Sequence, residues 1–233
     1  MIDRVLLWDV DGTLVKTGGL GAVVFDVALE RVLGVRPEVR PRMSGKTDPQ
    51  IVREYLSDMG IEETPELVEA VLRHIERELA AVAATGRLAA EGKACPGAAT
   101  ILAELAARPS VLSTLVTGNV YPNAVVKVAA FGLDKWLNLS VGAYGSDDHD
   151  RRHLVPRAMA RVAEQTGWRA DPDQVWVIGD TPRDLDCARS AGVRCLLIGT
   201  GRYTADSLEG IGANAVLNDL SDTTGVVRLL TGV

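Results

Sequence analysis

Short, unbroken apolar runs set the strongest limit on what this 233-residue chain can fold into. Residues 5–8, 175–178 and 195–198 are such runs, 111–116 is one broken only by Ser113 and Thr114, and 215–217 is a weaker one. A strand with one face in water alternates apolar and polar side chains. Runs that are apolar at every position predict strands covered on both faces, as in a parallel sheet. From residue 95 onward, stretches with apolar residues at helical spacing separate them, at 97–107, 120–131, 154–167 and 181–191. This alternation predicts an α/β fold with a Rossmann-like, doubly wound parallel sheet.

Residues 17–93 break the pattern. No strand is predicted there, and 20–33, 49–59 and 65–84 read as helices. The last is the clearest. Thr64 can cap it, Pro65 suits its first turn, and Glu66 and Glu69 sit near its positive end. Leu67, Val68, Val71, Leu72, Ile75 and Leu79 make one apolar face. A helical block placed just after the first strand predicts two units. These are an α/β core of residues 1–16 and 94–233, and an α-helical cap of 17–93. Hinges are expected at 16–21 and 89–97, both rich in glycine or small residues.

Composition narrows the function classes. Acidic residues outnumber Lys and Arg by 31 to 25, for a net charge of -6. Such a chain is not built for a nucleic-acid backbone or an anionic bilayer. Aromatics, at 4%, are too few for base-stacking platforms. The run at 5–8 is too short for a secretory signal, and no stretch approaches the roughly 20 apolar residues of a membrane span. The expectation is a cytoplasmic protein, monomer or homodimer, with neither nucleic acid nor membrane as partner. Cys95, Cys187 and Cys195 form no Cys-x-x-Cys pair, so reduced thiols are expected rather than zinc or disulfides.

The chemistry gathers after the strands. Asp9-Val10-Asp11-Gly12-Thr13 follows the first one. Two carboxylates two residues apart on an extended chain face the same side. Burying them together is costly unless a cation or a reaction needs them. A calcium loop is excluded, because Leu20 stands where its terminal Glu belongs. Gly179-Asp180-Thr181-Pro182-Arg183-Asp184 ends another strand. Ligands of open α/β sheets bind beyond the carboxyl ends of the strands, so Asp9, Asp11 and Asp180 are expected to converge there. A hard cation explains the gathering, and Mg²⁺ is the natural choice. Thr117-Gly118-Asn119, at a third strand end beside a helix N-terminus, offers a hydroxyl and backbone N–H groups to an anion. Arg151 and Arg152 precede the helix at 154–167 and supply a cation. Gly45-Lys46-Thr47 mimics the end of a P-loop, but Arg40 occupies the place of the required glycine. Gly199-x-Gly201 reads as a turn.

In this order the four segments resemble the four motifs of the haloacid dehalogenase superfamily: DVDGTLV at 9–15, Thr117, a basic residue near 151, and GDTPRD at 179–184. The helical block lies where the superfamily's helical-cap subclass carries its cap. Segments 42–50 and 199–220 are similar to phosphoglycolate phosphatase-like members. The resemblance implies an Mg²⁺-dependent phosphatase. It would hydrolyse a small phosphorylated metabolite, phosphoglycolate-like or a sugar phosphate, through an aspartyl-phosphate. Asp9 would be the nucleophile, and Asp11 the general acid and then the base. An acid at that second position marks phosphatases and phosphomutases rather than dehalogenases. Asp9, the backbone carbonyl of Asp11 and Asp180 would hold Mg²⁺, with Asp184 orienting the metal site. Thr117, Gly118 and Asn119 would hold phosphate oxygens, with Gly12 and Thr13 also on the substrate and Lys46 reaching it from the cap. The third motif departs from the usual Lys-Pro. Of the two arginines, Arg151 fits the family's spacing to Leu154 better. Two other readings stay open: a sugar phosphomutase of the same superfamily, and a non-catalytic regulatory protein that retains the fold.

Overall fold

A computed structural model describes residues 2–169 and 171–232. Its main sheet is built from β1 (Arg4–Trp8), β4 (Val111–Leu115), β5 (Val175–Gly179), β6 (Arg194–Ile198) and β7 (Ala215–Leu217). They run parallel in the order β4-β1-β5-β6-β7. Side chains alternate between two buried faces. Leu6, Trp8, Trp176, Ile178, Leu196 and Ile198 pack with residues of α5 (Ala98–Ala106) and α10 (Thr223–Thr231). Val5, Leu7, Val175, Val177, Cys195 and Leu197 pack on the other side with α7 (Leu154–Thr166) and α8 (Pro182–Ala191). Coverage on both faces is the physical reason that the runs are almost wholly apolar, Ser113 and Thr114 in β4 being buried exceptions, and the fold is the expected α/β one.

The helices α1 (Leu20–Leu33), α2 (Asp48–Asp58), α3 (Pro65–Ala84) and α4 (Arg87–Glu91) pack around an apolar cluster of their own. Phe25, Leu29, Tyr55, Leu56, Val71, Ile75 and Leu79 are central to it. The Thr64 hydroxyl caps α3, accepting from the Leu67 N–H at 3.2 Å. Val126 and Ala130, on and just past α6 (Tyr121–Ala129), pack against the cluster's edge.

The joins differ from expectation. β2 (Val15–Lys16) pairs antiparallel with β3 (Lys93–Ala94), so the two passages into and out of the helical block form one short ribbon. Lys93 falls inside the stretch expected to hold no strand, and α4 occupies the start of the expected 89–97 hinge. Two-residue strands are too short to show a period, and their partner lies far away in sequence. α9 (Ala205–Leu208) and α10 have no counterpart among the expected helices. Thr, Val and Gly are weak helix formers, so α10 depends on burying Val226, Val227 and Leu230 and on the Asp222 cap. Among the described residues no helix is long and apolar enough to cross a membrane. All three cysteines are buried and unbridged.

Candidate active site

β1 is flanked by β4 on one side and β5 on the other, so chain connections diverge around its carboxyl end and open a crevice there. Asp9 follows β1, and its N–H donates to the Ile178 carbonyl at 2.9 Å. Thr117 lies two residues past β4, with its N–H on the Ala143 carbonyl at 3.1 Å. Asp180 follows β5 directly. These residues, from three strand ends, line one cleft of about 460 Å³.

At its floor, carboxylate oxygens of Asp9, Asp180 and Asp184 lie within 4.8 Å of one another, all three residues buried. Arg151 ties two of them together. Its Nη2 is 2.9 Å from Asp9 Oδ1 and also donates to Asp184. The second Asp184 oxygen accepts from the Thr181 N–H at 3.0 Å and hydroxyl at 2.8 Å, closing a capping box on α8. Burial pushes the Asp9 carboxyl above its usual range; Arg151 opposes that shift, while Asp184 and Asp11 add to it. Asp180 is raised by burial and then by Asp184 and Asp9. Burial works against the Arg151 charge, but Asp184 and Asp9 outweigh it and hold the guanidinium charged. The Arg151 Nε is buried with no hydrogen-bond partner among the described residues.

Three buried carboxylates against one guanidinium fit a divalent cation. Their oxygens are hard donors, and the two whose ionisation burial disfavours, Asp9 and Asp180, gain most from a nearby positive charge. The oxygens of Asp184 are already engaged, so its role in such a site is to hold Arg151 and Thr181. Space for Asp180 depends on glycine. A Cβ on Gly12, whose φ is +87°, or on Gly201 would strike its carboxylate. The turn at 199–201 therefore forms part of the site.

Beside this floor stands a second polar group. Asn119 is buried, and its Nδ2 donates to Asp11 Oδ2 at 2.7 Å and to Thr117 Oγ1 at 2.8 Å. Lys127 reaches in from α6, donating to Asp11 Oδ2 and to Asn119 Oδ1, each at 2.6 Å. The helical block touches the same loop. The Asp48 N–H donates to the Gly118 carbonyl at 2.8 Å, and its Oδ2 accepts from the Val120 N–H at 2.9 Å and Asn123 Nδ2 at 3.2 Å. A Cβ on Gly118 would strike the Lys46 carbonyl, so these two loops meet backbone to backbone.

Asp9, Asp11, Gly12, Lys46, Thr117, Gly118, Asn119, Arg151 and Asp180 all line the cleft. Lys46 does so while paired with Glu54 on α2. The carboxylate of Asp11 accepts from Asn119 and Lys127. Thr13 departs from expectation. It is fully buried, its hydroxyl donates to Asp180 Oδ1 at 3.4 Å, and it is absent from the cleft wall. Its hydroxyl is directed at Asp180. The geometry also separates the two arginines. Arg151 is buried in the site, whereas Arg152 is 65% exposed and pairs with Asp150. The sequence does not single out Asp48 and Lys127, because Asp48 stands at the edge of the helix expected at 49–59 and looks like an ordinary first-turn acid, and Lys127 sits inside the helical pattern of 120–131 and looks like a surface lysine.

A family model described as haloacid dehalogenase-like hydrolase matches residues 6–189. Probable phosphatase IndB of Dickeya dadantii (strain 3937) is 26% identical over 97% of this chain and 94% of its own length. CbbY from Rhodobacter sphaeroides, solved in complex with phosphate, superposes with a TM-score of 0.73 at 21% identity, over 95% of this chain and 96% of that one. A predicted phosphoglycolate phosphatase from Haemophilus somnus 129pt gives 0.67 at 18% identity, over 97% and 98%. At these identities the two structures carry the fold.

Proposed function

The chain belongs to the haloacid dehalogenase-like hydrolases, and from that premise we propose that it is an Mg²⁺-dependent phosphatase of small phosphorylated metabolites, phosphoglycolate-like or sugar phosphates. Residues 1–16 and 94–233 are its catalytic core, and 17–93 a cap over the site. The observation that carries this reading is the contrast between two neighbours. Asp9 is buried beside Asp180 and Arg151, while Asp11, two residues on, has a side chain 45% exposed in the cleft.

In this mechanism an Asp9 oxygen attacks phosphorus, and the bond from phosphorus to the ester oxygen breaks. Asp11 hands its proton to that leaving oxygen. Asp11, now a carboxylate, then takes a proton from water. The water oxygen attacks phosphorus, the bond to Asp9 breaks, and inorganic phosphate leaves. Arg151 holds Asp9 in place and offers its unpartnered Nε to a phosphoryl oxygen. Thr117 and the Gly118 N–H receive the other oxygens. Asp9, Asp180 and the Asp11 carbonyl would hold Mg²⁺, with Asp184 fixing Arg151 beside them. When bound, the cation offsets the repulsion between the Asp9 carboxylate and an incoming phosphoryl dianion.

Phosphate release from a panel of phosphorylated metabolites in the presence of Mg²⁺ tests the reading. Steady turnover is expected, falling by at least roughly 1,000-fold in Asp9→Asn and on chelation. No release from any phosphomonoester by the wild-type chain would overturn it. Transfer of the phosphoryl group to a second sugar hydroxyl instead of water would replace it with the phosphomutase reading.

A further inference from the structure

Lys127 is a charged residue in the last turn of α6, yet its side chain is only 9% exposed and it lines the cleft. A buried ammonium needs partners, because leaving water costs it several kcal/mol. Two are present, Asp11 Oδ2 and Asn119 Oδ1. An ammonium carries three N–H donors. The third has no acceptor among the described residues, so Lys127 meets the cleft with a donor to spare, while its charge is shared between Asp11 and the nearby Asp48 carboxyl.

Its place fixes what that donor can meet. The floor around Asp9 has its own cation in Arg151, and the acidic cluster lies with it. Lys127 instead touches Asp11, the group that in the proposed reaction serves the leaving oxygen. It therefore borders the alcohol part of the substrate. The same cleft is lined by Phe25, Met43 and Ile51 together with Lys46, whose ammonium is paired with Glu54. A small leaving group entering between these walls meets one unsatisfied ammonium N–H. An anionic group there gains a charge-assisted bond, and a neutral one leaves the ammonium less well satisfied.

We propose that Lys127 is a specificity-determining residue that reads an anionic group, a carboxylate or a second phosphate, carried by the leaving alcohol close to the ester oxygen. This rests on the phosphatase reading above and narrows its substrate class to phosphomonoesters of acidic alcohols. The competing account is that Lys127 serves only as counter-ion to Asp11. That account predicts equal damage to every substrate when Lys127 is lost.

The test compares matched substrates in wild type, Lys127→Met and Lys127→Arg. Phosphoglycolate against its neutral amide probes a carboxylate, and a sugar bisphosphate against the corresponding monophosphate probes a second phosphate. Wild type is expected to prefer the anionic member of one pair. Lys127→Met should erase that preference, lowering kcat/KM for the anionic member by roughly 10- to 100-fold more than for the neutral one. Most of the loss should fall on KM, and Lys127→Arg should retain part of the preference. Binding to the Asp9→Asn protein, followed by calorimetry with and without the Lys127→Met change, should show the same selective loss. Equal losses for both members, or no wild-type preference in either pair, would overturn the proposal while leaving the phosphatase reading intact. Absence of turnover of any phosphomonoester by wild type would fail that reading first. Circular dichroism of Lys127→Met checks its fold, and should it not fold, the preference retained or lost in Lys127→Arg decides.

Discussion

Arg151 holds a charge that two buried carboxylates balance, and each depends on it. Asp9 is 2.9 Å from its guanidinium, and Asp184 receives a second bond. Arg151→Met leaves both acids without their cation in a site that water barely reaches. Removing one partner of a buried ion pair costs roughly 3–5 kcal/mol. Urea denaturation of the variant in chelator should show a loss of that order, and Mg²⁺ should recover part of it. An unchanged midpoint would mean that the pair contributes nothing net. The cost is legible only in the structure. The spacing of motifs shows that a cation belongs near 151, but the choice between neighbouring arginines is one of direction. Arg151 turns inward under α8, and Arg152 turns outward onto Asp150. Asp9 and Asp180 are legible in the sequence because acids that close apolar strands are drawn toward the interior, where a cation or a reaction must sustain them, and Asp11 is legible by its place two residues after Asp9. Thr13 is not, because a hydroxyl beside a catalytic acid looks the same in sequence whether it faces substrate or supports its neighbour.

The start of α2 is the element that fastens the helical block to the loop after β4. Asp48 is buried, and its one oxygen takes both the Val120 N–H and the Asn123 amide. Burial pushes its carboxyl from 3.8 up to about 6, against the opposing pull of Lys127. The folded chain thus keeps a proton that the unfolded chain gives up between about pH 4 and pH 6. Stability from this site is full below the lower value and is lost as pH rises through the higher one. Asp48→Asn keeps an acceptor oxygen and cannot ionise. Wild type should therefore lose roughly 1–3 kcal/mol relative to the variant between pH 4 and pH 7. Denaturant midpoints of both proteins across that range measure it. A gap that stays constant with pH would mean that Asp48 ionises as freely folded as unfolded. Elements with a period, such as α3 and β1, are readable from sequence alone. The ribbon of β2 and β3 is not, because its pairing of Val15 with Ala94 and Lys16 with Lys93 joins residues almost eighty positions apart.

At the scale of the molecule, the acid excess is not spread evenly over a solvated surface. Asp9, Asp180 and Asp184 converge where three strands end, and one guanidinium does not neutralise them. A fold that gathers like charges in its interior is less stable for it until a cation arrives, and a ligand that binds only the folded state returns that stability. Mg²⁺ at 100 times its dissociation constant should add about 2.7 kcal/mol. For a chain of this size that is a rise in Tm of roughly 5–10 °C. Asp180→Asn removes a raised carboxylate and one of the two with free oxygens, so its Tm without metal should equal or exceed that of wild type, and its response to Mg²⁺ should vanish. Glu209→Gln, an exposed change outside the cluster, should keep the full response. Calorimetric scans at constant ionic strength, with Na⁺ replacing Mg²⁺ as control, separate site binding from screening. An equal shift with Na⁺, or one that survives in Asp180→Asn, would place the stabilisation on the acidic surface at large. Loss confined to Asp180→Asn would place it at the strand ends, where net negative charge is turned into a site for an anion.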